Sequence, residues 1–140
     1  MVVTIGKIIL ILETLMALTP IDYQHLARTI KVEAKTGTLD EYCVAVSILN
    51  RVNSSSFPNT VSNVVYAPGQ YEGLNYYRPV ADQKLVSEMQ SEVGKQKFLK
   101  AYSIIGDRTD FKGQSMLKYR VSSEDPMCHP KGNFFHYHWQ

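Results

Sequence analysis

Ile21-Asp-Tyr-Gln-His-Leu-Ala-Arg-Thr-Ile-Lys-Val-Glu-Ala-Lys-Thr-Gly37 decides the reading of this chain, together with Thr38-Leu-Asp-Glu-Tyr-Cys-Val-Ala-Val-Ser-Ile-Leu-Asn-Arg-Val52 directly after it. At about 100° per residue the first segment is an amphipathic helix, with Tyr23, Ile30 and Ala34 at the centre of its apolar face. Leu26 and Ala27 flank that centre, and Arg28, Lys31 and Lys35 form the charged face. Glu33 falls on the shoulder of the apolar face, seven residues after Leu26 and three after Ile30. A carboxyl group half withdrawn from water holds its proton more tightly. General acid catalysis near neutral pH needs that property. The bland alternative is a solvated rim residue or an ion-pair partner.

The second segment is apolar almost all round, as expected of a central, buried helix over 39–52. Asp22 is the expected N-cap of the first helix, and Gly37 its C′ stop. Thr38 and Glu41 have the spacing of a capping box. Asp40 and Glu41 are explained by capping and by the helix dipole, as is Arg51 near the other end.

Working outward, Ile8, Leu12, Leu15 and Leu18 follow helical spacing, so residues 1–20 read as a packing helix. That segment faintly resembles a signal peptide, but Glu13 interrupts an apolar run already too short to span a bilayer. Downstream, 60–66 reads as a short helix and Pro68-Gly69 as the centre of a turn. Residues 76–79 read as irregular. Residues 82–105 read as one helix weakened at Gly94, with Leu85, Met89, Val93, Phe98, Tyr102 and Ile105 inward. The period then changes to alternation: Leu117, Tyr119 and Val121 suggest one strand, and Phe135, Tyr137 and Trp139 a second, paired antiparallel. The fold class expected is α+β, helices first and a small antiparallel sheet last, in a single domain over 1–140.

With 140 residues, 44% hydrophobic and 20% charged, the composition fits one globular domain. A net charge of +2 is too mild for a nucleic-acid-binding face, so no nucleic-acid partner is expected. No stable membrane insertion is expected either. Cys43 sits in an apolar helical run, where a buried free thiol is the default. Nothing in the sequence argues for pairing it with Cys128. His129, His136 and His138 match no strong metal motif, so no metal and no cofactor is expected.

Four pieces of sequence, in order, carry a resemblance. They are Ile30-Lys-Val-Glu33-Ala34; Ala45-Val-Ser-Ile-Leu-Asn50-Arg51-Val52; Phe57-Pro58-Asn59-Thr60-Val61; and Val64-Val65-Tyr66-Ala67-Pro68-Gly69-Gln70-Tyr71. The closing Lys131-Gly132-Asn133-Phe134-Phe135-His136-Tyr137 adds a fifth. Together they resemble the cell wall hydrolases of the spore-cortex lytic type (SleB and CwlJ), found also among bacteriophage proteins. The chain departs from that pattern at Lys35-Thr36-Gly37, at Tyr71-Glu72 and at Lys118-Tyr119-Arg120, which bears on substrate preference.

The resemblance implies a lysozyme-like fold acting on peptidoglycan glycan strands. It implies cleavage between N-acetylmuramic acid and N-acetylglucosamine, commonly as a lytic transglycosylase, with Glu33 as the acid. Gln70 and Tyr71, past the Pro-Gly turn, are candidate substrate contacts, as are Tyr119 and Tyr137 on the strands; Asn133 is a candidate support for the last strand. The expected place of action is the bacterial cell wall, with the protein made in the cytoplasm and carrying no clear cleavable signal peptide. A bacteriophage setting would add virion association and tail or lysis partners. The competing expectations are a non-catalytic glycan-binding or structural virion protein, and a hydrolytic muramidase using Glu72 or Asp82 as second carboxylate.

Overall fold

A computed structural model describes residues 4–113 and 126–138. Seven helices precede a two-stranded sheet among them: α1 (Ile5–Ala17), α2 (Pro20–Glu33), α3 (Asp40–Val52), α4 (Val61–Val65), α5 (Glu72–Tyr77), α6 (Gln83–Met89), α7 (Glu92–Ile105), β1 (Asp110–Lys112) and β2 (Phe134–His136). The α+β order matches the expectation. Helix α3 is the axis, with every residue from Tyr42 to Arg51 buried. Helices α2, α4 and α7 pack around it.

Helix α2 presents Tyr23, Leu26, Ala27 and Ile30 to that axis. Burying an aliphatic side chain such as Leu26 or Ile30 contributes about 1.5–3 kcal/mol. Its N-cap is Thr19 rather than Asp22, which takes the third helical position and completes a capping box with Thr19. Pro20 fills the first helical position, where its missing N–H costs nothing. The helix ends at Glu33 with an extended Ala34, three residues before Gly37.

The expected capping box at Thr38 does not form. Helix α3 starts from Leu39 without a side-chain cap. The Glu41 carboxylate accepts instead from the Gly37 N–H at 3.0 Å, and the Thr38 hydroxyl donates to the Lys35 carbonyl. The turn between α2 and α3 thus takes up both polar groups.

The long helix expected over 82–105 is two helices. Ser91 caps α7, its hydroxyl accepting from the Gly94 N–H. Gly94 marks a close approach: a Cβ there would lie 1.9 Å from the Glu88 carbonyl oxygen. Val93 is exposed rather than inward. The stretch expected to be irregular over 76–79 begins inside α5. In α1 the buried residue is Ile11, while Ile8 is exposed and Leu12, Leu15 and Leu18 are only partly covered.

β1 pairs antiparallel with β2, Phe111 opposite Phe135. Both Phe134 and Phe135 are buried, so strict alternation fails at β2. The expected strand around Leu117, Tyr119 and Val121 lies outside the described residues, as does Trp139. Cys43 is not a free thiol: it forms a disulfide with Cys128. The link ties the central helix to the segment leading into β2, across 85 residues of sequence. The isolated positions of the two cysteines gave no sign of this, because only the packed chain brings them together.

Candidate active site

Glu33 is the last residue of α2, half-buried, with its carboxyl beside the start of α5. A Cβ at Gly73 would lie 3.8 Å from one Glu33 carboxyl oxygen and 3.5 Å from the Val32 side chain. Those are ordinary contact distances, so the glycine leaves this flank of the acid uncovered. The carboxyl has no hydrogen bond or ion pair among the described residues. Burial alone pushes its proton affinity above the ordinary carboxylate value.

The backbone of Glu33 is held, although its carboxyl is not. The Asn133 side-chain amide donates to the Glu33 carbonyl at 2.7 Å and to Asp40 at 2.6 Å. The Asn133 backbone N–H also points at the Asp40 carboxylate, at 3.2 and 3.3 Å. Asp40 is fully buried. Burial raises its proton affinity, and the two Asn133 donors work against that rise. A capping role understates this residue: Asp40 clamps the strand segment against the end of α2. Gly132 fits the clamp closely, since a Cβ there would approach the Asp40 carboxylate to 2.7 Å.

On the other flank lies a second cluster, built on Arg51. Its guanidinium donates to the Thr109 carbonyl (2.8 Å), to the Gln70 side-chain oxygen (3.0 Å) and to the Asp110 carboxylate (3.2 Å). It also stacks on Phe57 and Tyr71, 4.5 and 5.3 Å from the ring centroids. Burial would push the Asp110 carboxyl up, but hydrogen bonds from His138 and Thr109 and the charge of Arg51 bring it below its ordinary value. Arg51 therefore braces the 70–71 turn and β1 from the end of α3. A dipole role at the helix terminus was all the sequence suggested. An arginine near the end of a helix that is otherwise mostly apolar was the available signal that an acidic partner waits elsewhere.

Tyr71 stands between the two clusters. Its backbone is left-handed (φ 46°), a costly conformation for a non-glycine residue. Its hydroxyl is buried without a hydrogen-bond partner among the described residues. Burial raises the affinity of the phenol for its proton; Arg51 opposes this, and the charges of Glu33 and Asp110 add to it. The phenol stays protonated, within electrostatic range of Glu33, with a free donor.

Of the remaining candidates, Gln70 is exposed with its side-chain oxygen taken by Arg51. Tyr137 is half-exposed under the Arg108 guanidinium, 4.8 Å from it, with no described contact to Glu33. Tyr119 lies outside the described residues. The structure thus brings Glu33, Tyr71 and Asn133 together, with Gln70 behind Tyr71, and sets Tyr137 elsewhere. The two alternative carboxylates differ. Asp82 is committed as N-cap of α6, accepting from the Lys84 N–H at 2.9 Å. Glu72 is exposed in the first turn of α5, next to Gly73.

An α+β chain thus presents a sheltered carboxyl, unpaired among the described residues, at a helix end. The chain belongs to the cell wall hydrolase family, whose sequence model matches residues 35–126, well over half its length. The match opens two residues after Glu33. In structure the chain is similar to the catalytic domain of the germination-specific lytic transglycosylase SleB from Bacillus anthracis. The TM-score is 0.52 at 20% identity, over 85% of this chain and 96% of that one. That likeness bears out the lysozyme-like α+β fold. No curated protein matches the chain. Family membership carries a peptidoglycan-degrading role at the cell wall.

Proposed function

We propose that this chain is a lytic transglycosylase cleaving the bond between N-acetylmuramic acid and N-acetylglucosamine, with Glu33 as its single acid and base. The observation that carries the reading is the Glu33 carboxyl itself, partly dry and unpaired. Protonated Glu33 gives its proton to the glycosidic oxygen as the C–O bond breaks. The sugar's own N-acetyl oxygen stabilises the positive charge at the anomeric carbon. The ionised Glu33 then takes the proton from the muramyl 6-hydroxyl as that oxygen attacks the same carbon. The products are a 1,6-anhydromuramyl end and a free N-acetylglucosamine end, with Glu33 protonated again. One group serves both steps because its proton affinity sits between those of an ordinary carboxylate and of the hydroxyls it serves.

Tyr71 is the best-placed helper. Its buried, unpartnered hydroxyl has a hydrogen bond to give, and a sugar oxygen beside Glu33 would accept it. Asn133 sets the position of the acid through its backbone. Gln70 keeps its amide N–H groups for substrate while Arg51 holds its oxygen. The reading keeps Tyr119 and Tyr137 as candidate sugar contacts and takes the whole of 1–140 as one catalytic unit.

Mass spectrometry of products from purified sacculi tests this reading. Anhydromuramyl ends are expected. Reducing muramic acid ends would mean hydrolysis, with Glu72 as the obvious second carboxylate. Absence of any soluble glycan would leave only a binding or structural protein with this fold.

A further inference from the structure

The helix that shelters Glu33 has a second use. Gly73 of α5 faces the acid, while the C-terminal half of α5 lines a cavity of about 640 Å3 shared with α2 and the start of α6. Gln24, Arg28, Tyr66, Asn75, Arg78 and Gln83 supply its polar lining, and no carboxylate lines it. Cavity and acid share this helix: Leu74, next to Gly73, already lines the cavity, and at about 1.5 Å per residue Arg78 stands roughly 7.5 Å along the axis from Gly73.

Parts of this lining are already fixed. The Gln24 and Gln83 amides bond each other in both directions, at 3.1 and 2.9 Å. The Tyr66 hydroxyl is held by His25 at 3.0 Å and by Arg28 at 3.3 Å. The Lys31 ammonium is spent on the Val80 carbonyl. The two guanidiniums are not neutralised. Arg28 has only the neutral Tyr66 hydroxyl, and the Arg78 guanidinium has no partner among the described residues. Arg78 ends α5 in a left-handed backbone conformation (φ 47°) that a non-glycine residue adopts at a cost.

We propose that this cavity binds the peptide stem of a muramyl residue, Arg28 and Arg78 taking its carboxylates and the side-chain amides its peptide groups. The proposal rests on the peptidoglycan reading above and extends it to the peptide part of the polymer. Stem peptides carry more carboxylates than amines, and two arginine forks without an acidic partner among the described residues suit planar carboxylates bidentately. Phosphate sites are more often built from clustered backbone N–H groups at a helix N-terminus or in a loop nest. The polar lining described here is instead made of side-chain amides, a phenol and guanidiniums. A strand laid across Glu33 would hang its lactyl-linked peptide along α5 toward Arg78.

Calorimetric titration with an N-acylated alanyl-glutamyl-diaminopimelyl tripeptide tests this without any glycan turnover. The expected result is saturable binding that weakens about tenfold or more in Arg28→Gln/Arg78→Gln, and similarly when the tripeptide's carboxylates are amidated. Arg78→Gln alone, at an exposed site, provides the same test should the double variant fold poorly. No binding to the wild-type protein, equal binding by the variants, or tighter binding of a glycerol phosphate oligomer would overturn it. Tripeptide binding without sacculus cleavage would sink the transglycosylase reading and leave this cavity standing; cleavage without tripeptide binding would do the reverse.

Discussion

Asp40 and Glu33 lie seven residues apart, both withdrawn from water, and the protein treats them oppositely. Asp40 is fully buried and has both Asn133 donors aimed at it. Glu33 is half-buried, with no partner for its carboxyl among the described residues, although the same Asn133 grips its carbonyl. A desolvated carboxyl whose hydrogen-bonding capacity is met is structural. One whose capacity is left open, on a backbone fixed this firmly, is poised to exchange a proton. Asn133 joins the two regions: a single side chain makes one acid inert and sets the place of the other.

The largest break in that contrast comes from Glu33→Gln. Removing the proton donor should lower the rate of sacculus digestion by about 10²–10⁴-fold, with the thermal midpoint held or raised. Reducing the disulfide between Cys43 and Cys128 attacks the structural side. Freeing a loop of this length should cost about 4–5 kcal/mol on the loop-entropy estimate, read as a lowered denaturant midpoint in reductant. Asp40→Ala strips the clamp and leaves the Asn133 donors buried and unmet. A loss of about 3 kcal/mol of stability is expected, with slower digestion because the Glu33 carbonyl loses its fixed partner.

The smallest effect sharpens the contrast by its sign. The folded-state proton affinity of Glu33 is raised, so the native state binds more protons than the unfolded chain above the ordinary value of 4.5. Its contribution to stability is full below that value and declines as pH rises through the folded-state midpoint. Glu33→Gln should therefore gain stability relative to wild type when melts at neutral pH are compared with melts near pH 4.

Local rules made the helices legible and long-range ones hid the rest. The apolar stripe of α2 and the all-round burial of α3 follow from periodicity, and both placed Glu33 on the edge of the core. The cap of α2 was misread by three residues because Thr19 and Asp22 fill complementary places in one box, and only the backbone path tells which leads. The break before α7 is local too: Ser91 caps the new helix and Gly94 sits against the Glu88 carbonyl six residues back, signals that the continuous apolar periodicity across 82–105 masked. At the candidate site, the place of Glu33 at the edge of the core was readable and its surroundings were not. Arg51 with Asp110, Asn133 with Asp40, and Cys43 with Cys128 are each separated by more than fifty residues. Nothing short of the folded chain pairs them.

Carbon-detected NMR titration of the Glu33 carboxyl, compared with the pH dependence of sacculus digestion, tests the account most directly. The account predicts a carboxyl midpoint clearly above 4.5, matched by a rate that falls as pH rises through the same value. A midpoint at or below 4.5, or digestion whose alkaline limb takes no notice of Glu33, would contradict it.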